Sequence, residues 1–109
     1  MADSIGMTFG RITSAIEKEI PFIKQRVPEL VDVYGFGSFF REESFNDIDL
    51  IFVIDCRAGE ILPASRKLRR EARTLSAIFA IEIDALVLSK REFSEKPLIN
   101  MKDVMRLSG

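Results

Sequence analysis

The stretch Gly35-Phe36-Gly37-Ser38-Phe39-Phe40-Arg41-Glu42-Glu43-Ser44-Phe45-Asn46-Asp47-Ile48-Asp49-Leu50 decides how this chain is read. It ends by opening Ile48 to Ile54, a run of β-branched, aliphatic and aromatic residues with no breaker, which predicts a strand. Both faces of that strand are largely apolar, as expected of a central position in a sheet. Asp47 and Asp49 stand two apart at its start, so their carboxylates project from one face. Ionised neighbours repel, and a hard divalent cation held by oxygen removes the penalty. Taken alone, Asp-x-Asp also fits a solvated strand end. Gly37-Ser38 follows a shorter apolar run. Glycine lets the backbone approach an anion, and consecutive amides with a hydroxyl can cradle phosphate oxygens. An ordinary turn is the plain alternative. Arg41 is placed to reach the same anion.

Outward from this stretch, Leu30 to Phe36 predicts the preceding strand. Before it, Ile5, Phe9, Ile12, Ile16, Ile20 and Ile23 recur every three or four residues, which predicts a helix. Pro21 is expected to kink or divide that helix, and Pro28 to end it after Val27. Downstream, Leu62 to Phe79 predicts a second helix with an apolar stripe of Leu68, Ala72, Leu75 and Phe79 and with Pro63 in its first turn. Ile81 to Leu88 predicts a third strand. Ile81, Ile83, Ala85 and Val87 share one face, and Glu82 and Asp84 share the other. Met101 to Leu107 reads as a weak final helix. The expected architecture is α/β (α+β): one domain, residues 1–109, with a small mixed β-sheet and helices packed on it.

Composition narrows the chemistry. The chain has 109 residues, 47% hydrophobic and 30% charged, with a net charge of −1, which suits a packed domain and not a polyanion-binding cation. It has no histidine, so His-dependent triads, His-ligated zinc and imidazole general bases are excluded. Its one cysteine, Cys56, can form no disulfide within the chain; a reducing, cytoplasmic setting is expected. No apolar run is long enough to span a bilayer, and the first twenty residues lack a signal-peptide pattern. What remains is chemistry by carboxylates, hydroxyls, backbone amides, Lys/Arg or an oxygen-held metal.

A third acid completes the pattern. Asp84 sits between Ile83 and Ala85, and a carboxylate in such a run is costly to bury unless paired or metal-bound. Glu82 shares its face and is the rival. Gly-Ser, then Arg, then Asp-x-Asp opening a strand, then an acid in a later strand resembles the nucleotidyltransferase superfamily related to DNA polymerase β, over Val33 to Leu88. The length resembles its minimal bacterial and archaeal members. The resemblance implies a polymerase β-like nucleotidyltransferase fold, with Gly37, Ser38 and Arg41 on the nucleotide's phosphates. It implies that Asp47, Asp49 and Asp84 are both catalytic and the ligands of two Mg²⁺ ions. The segment between Ser38 and Asp47 is shorter than is usual in the family; Glu42 replaces a common Gly, and Asn46 a common Ser.

The implied reaction is transfer of a nucleoside monophosphate, most simply AMP from ATP, to a hydroxyl on a protein or small molecule. The resemblance also implies a toxin–antitoxin setting with a HEPN-like protein partner, and a second copy of the chain is the other partner expected. The contrasting reading is a nucleotidyltransferase-fold binding or regulatory subunit with weak or no catalysis. Arg66, Arg69, Arg70 and Arg73, with Lys67, cluster on the second helix. A solvated face is the default for such a run, and contact with RNA, a substrate phosphate or an acidic protein surface is the functional alternative. Tyr34 and Cys56 read as structural.

Overall fold

The structure is a computed structural model, and it describes residues 9–36, 47–95 and 104–107. Ile12, Ile16, Ile20, Ile23 and Val27 form one continuous buried stripe, carried by helix α1 (Phe9–Arg26) and the residue after it. Pro21 does not divide this helix. Glu17, whose carbonyl loses its partner to the proline ring, lies on the exposed side where water can replace the missing N–H. Lys24 and Arg26 in the last turn suit its negative end.

The sheet order is β3-β2-β1-β4, and it is mixed. Strand β1 (Leu30–Phe36) pairs antiparallel with β2 (Asp47–Ile54), with an irregularity between Leu30 and Asp32. Strand β2 pairs parallel with β3 (Glu82–Ser89), so β2 is central, as its two apolar faces require. Helix α2 (Ala58–Phe79) makes the crossover between these parallel strands. It begins four residues before the expected Leu62, because Glu60 caps it by accepting from the Arg57 N–H at 3.3 Å. Its end is Ala80, held in the left-handed conformation at φ 54°.

Ile48, Leu50, Phe52, Ile54, Val33 and Ile83 point to one side of the sheet and pack under α1 and α2 in the main core. Arg26 of α1 donates to both carboxylate oxygens of Glu71 on α2, at 2.7 Å each. The opposite side carries a smaller cluster of Ile51, Val53 and Leu88, covered by Val31, Tyr34 and Phe93. Phe93 belongs to α3 (Lys90–Glu95), a short helix opened by a reciprocal cap. The Ser89 hydroxyl accepts from the Glu92 N–H at 3.0 Å, and the Glu92 carboxylate accepts from the Ser89 N–H at 2.9 Å.

The final segment corrects the helical expectation for Met101 to Leu107. Val104–Arg106 is a strand, β4, antiparallel to β1. A weak local helical pattern yields to the open edge of β1, where Leu107 N–H donates to Val33 at 2.8 Å and Arg106 pairs with Asp32 at 2.7 Å. The described elements are thus a small mixed sheet with helices packed on it.

Candidate functional site

Register decides which acids meet. In the parallel β2–β3 pair Asp49 lies opposite Asp84, and Asp47 lies opposite Glu82. Residues directly opposite share a face. The four acids therefore lie on one face of neighbouring strands, at the end where both strands begin. Ile48 and Ile83, between them in sequence, point into the main core. The acidic face is the side of the sheet away from α1 and α2, beyond the patch covered by Phe93.

The acids differ in setting. Asp49 is half-buried, whereas Glu82 and Asp84 are exposed. The expectation of a costly buried carboxylate at Asp84 is corrected by its exposure. Strand β3 lies at the edge of the sheet, and on this face Glu82, Asp84 and Leu86 are exposed while Leu88 is buried in the smaller cluster. Only the backbone of Asp47 is described, and its side chain lies outside the description. Among the described residues, no group of three or more His, Cys, Asp or Glu is gathered closely enough to hold a metal ion.

A tertiary contact from α2 also holds the acidic strand in place. The Ser76 hydroxyl near the end of α2 accepts from the Ile83 N–H at 2.8 Å. That bond anchors the backbone between Glu82 and Asp84. No local sequence signal marks Ser76 for this role, since the contact depends on how the helix returns to the sheet. Tyr34 and Phe93 stack at 4.7 Å between ring centres, on the same side of the sheet as the acids. The Ser89-x-x-Glu92 cap was the available signal for the helix that carries Phe93.

Strand β1 ends at Phe36, opposite Asp49 on β2. Gly37, Ser38 and Arg41 lie outside the described residues. Arg66, Lys67, Arg69, Arg70 and Arg73 are all exposed on α2. Cys56 is half-buried against the core. Burial first, then the charges of Glu60, Glu29 and Asp55, push its thiol pKa up, which suits a structural and not a nucleophilic cysteine. No helix among the described residues is long and apolar enough to cross a membrane.

The chain matches no protein-family model and no curated protein. It does resemble solved structures in fold. A proposed nucleotidyltransferase of Sulfolobus solfataricus superposes with a TM-score of 0.55 at 20% identity, covering 90% of this chain and 80% of that one. A variant of the MntA–HpeT toxin–antitoxin, with two aspartates changed to glutamate, gives 0.51 at 16% identity over 85% of this chain and 72% of that one. A toxin–antitoxin with AMP-PNP gives 0.51 at 19% identity over 85% and 73%. The chain thus has the polymerase β-like nucleotidyltransferase fold, a small mixed sheet with helices packed on it.

Proposed function

We propose that this chain, acting as a single domain, is a Mg²⁺-dependent nucleotidyltransferase that transfers a nucleoside monophosphate to a hydroxyl. The observation that carries the reading is the register that sets Asp49 opposite Asp84 on adjacent parallel strands. Two carboxylates held side by side repel unless a cation lies between them, and hard oxygen donors suit Mg²⁺. Asp47, two positions away on the same strand, is taken as the further oxygen donor that a pair of such ions would need. Asp47, Asp49 and Asp84 are the residues assigned to hold them, with Glu82 next to Asp84 on the same strand. Two bound ions would stabilise both the entering and the leaving oxygen of an in-line displacement at phosphorus.

The protein's own groups have separable roles. Asp49, half-buried, is the fixed ligand. Asp84, exposed at the sheet's edge, can also be reached by an acceptor and is assigned to take the proton of its hydroxyl. Gly37, Ser38 and Arg41 are assigned to the triphosphate. ATP is the assigned donor, which leaves AMP on the acceptor and releases pyrophosphate. One relative was solved with AMP-PNP, and another carries changes at two aspartates two positions apart, the spacing of Asp47 and Asp49. The same relatives support a toxin–antitoxin setting with a HEPN-like protein partner.

Calorimetry with Mg²⁺ and ATP tests the reading. The chain should bind ATP only with the metal, and Asp47→Ala/Asp49→Ala should abolish binding. An acceptor should take label from ATP labelled at the α-phosphate and none from ATP labelled at the γ-phosphate. Failure to bind ATP with Mg²⁺ would instead identify a regulatory subunit on this fold.

A further inference from the structure

A strongly charged surface lies outside the proposed acidic site. Arg66, Arg69, Arg70 and Arg73 recur at i, i+3, i+4 and i+7, so they form one stripe along α2. The core-facing residues of the same helix are Ala64, Leu68, Ala72 and Leu75. At 100° per residue the arginine stripe is centred roughly 150° from them, pointing away from the sheet. All four arginines are exposed. The ion pairs of the described residues, Arg26–Glu71, Arg91–Glu95 and Arg106–Asp32, include none of them.

A face that serves only solubility would intersperse acids, because like charges at i, i+3 and i+4 destabilise a helix. Here Arg66/Arg70 and Arg69/Arg73 are both like-charged pairs at four-residue spacing. Glu71, the carboxylate nearest the middle of the stripe in sequence, is engaged by Arg26. The stripe is bordered by a cleft of about 200 Å³ between the end of α1 and α2, lined by Arg26, Val27, Lys67, Arg70 and Glu71. Lys67 and Arg70 therefore present cations to a concave surface as well as to a convex one.

We propose that the outward face of α2 binds the phosphodiester backbone of a nucleic acid. Guanidinium groups match phosphate oxygens in two-point contacts, and all four positions of the stripe carry arginine. An acidic protein partner is disfavoured by the absence of an apolar centre. The exposed large hydrophobics of the helix, Leu62 and Ile78, stand sixteen positions apart, one before Arg66 and one after Arg73, whereas protein interfaces bury an apolar middle inside a polar rim. A phosphate backbone needs no such centre, because its affinity comes from neutralised charge and released counterions. The net charge of −1 does not oppose this, since the stripe is a local surface.

Fluorescence anisotropy of the full chain tests it, with a labelled single-stranded RNA, a duplex DNA and poly-glutamate over a series of KCl concentrations. With about four phosphates neutralised, the logarithm of affinity for the single strand should fall against the logarithm of salt with a slope of about −3. Arg66→Glu/Arg70→Glu should weaken binding at least about tenfold at low salt and flatten the slope by about one to two. Circular dichroism and melting should show the variant folded. Arg91→Glu, on α3, should leave binding unchanged. The RNA and DNA arms identify which nucleic acid is preferred. An unchanged affinity in the double variant, an equal loss in Arg91→Glu, or tighter binding to poly-glutamate than to either nucleic acid would each overturn the assignment.

Discussion

Replacing Asp84 with asparagine should make the metal-free protein more stable. Register sets Asp84 opposite Asp49, which puts two carboxylates on one face of adjacent strands. Two unit charges about 5.5 Å apart repel by about 0.8 kcal/mol at the dielectric of water and about 3 kcal/mol at an effective dielectric of 20. Asp84 is exposed, so the water-like limit applies. Like charges directly opposite on a sheet are independently expected to cost about 0.2–1 kcal/mol. For 109 residues the unfolding entropy makes 1 kcal/mol worth about 4 °C in Tm. In EDTA and low salt, Asp84→Asn should therefore melt about 2–4 °C above the parent chain. Raising KCl to about 0.5 M should shrink the difference, because the Debye length then falls to about 4 Å. On the proposed function, a cation bound between the acids should reverse the ranking. At ten times its dissociation constant, Mg²⁺ adds about 1.4 kcal/mol, or about 6 °C, to the parent chain. The variant should gain much less. Differential scanning calorimetry in paired EDTA and Mg²⁺ buffers reads both effects. The reasoning fails if Asp84→Asn melts at or below the parent in EDTA, or if Mg²⁺ raises both proteins equally.

Two further expectations concern the frame around the acids. Phe93→Ala removes the stacked partner of Tyr34 and should cost about 1–2 kcal/mol. Tyr34 is the only tyrosine and the chain has no tryptophan, so loss of near-ultraviolet dichroism would report release of α3 directly. Ala80→Gly should raise Tm by a few degrees, because a left-handed alanine costs about 1 kcal/mol that glycine does not; an unchanged or lower Tm would show that the position is not strained.

Much of the frame was legible because local pattern and tertiary position agree. Ile48 to Ile54 reads as a central strand, and the structure buries its six apolar residues between two neighbours, with Asp49 half-buried among them. The isoleucine spacing of α1 is equally plain. Prolines misled where their missing N–H falls on a wet face: Pro21 does not divide α1, and Pro63 lies inside α2, past its first turn. The final segment was misread because three residues hold too little pattern to announce a strand, and only the open edge of β1 makes them one. Alternation showed that Glu82 and Asp84 share a face. It could not show which of them lies opposite Asp49, because register is set by the packing of β2 against β3 and by Ser76 gripping Ile83.

The separation of the acidic face from the outward side of α2 has an electrical consequence. A net charge near zero suggests an indifferent surface, yet the arginines and the strand acids lie on opposite sides of one sheet-and-helix layer. Such a molecule has a dipole and turns in the field of an approaching polyanion, presenting its helices first. The two faces lie on opposite sides of the packed sheet and helices, and through water at physiological salt a charge is screened beyond a Debye length of about 8 Å. Neither field quenches the other, so on the two proposals a ligand at the acids and a polyanion on α2 would not compete for the same surface.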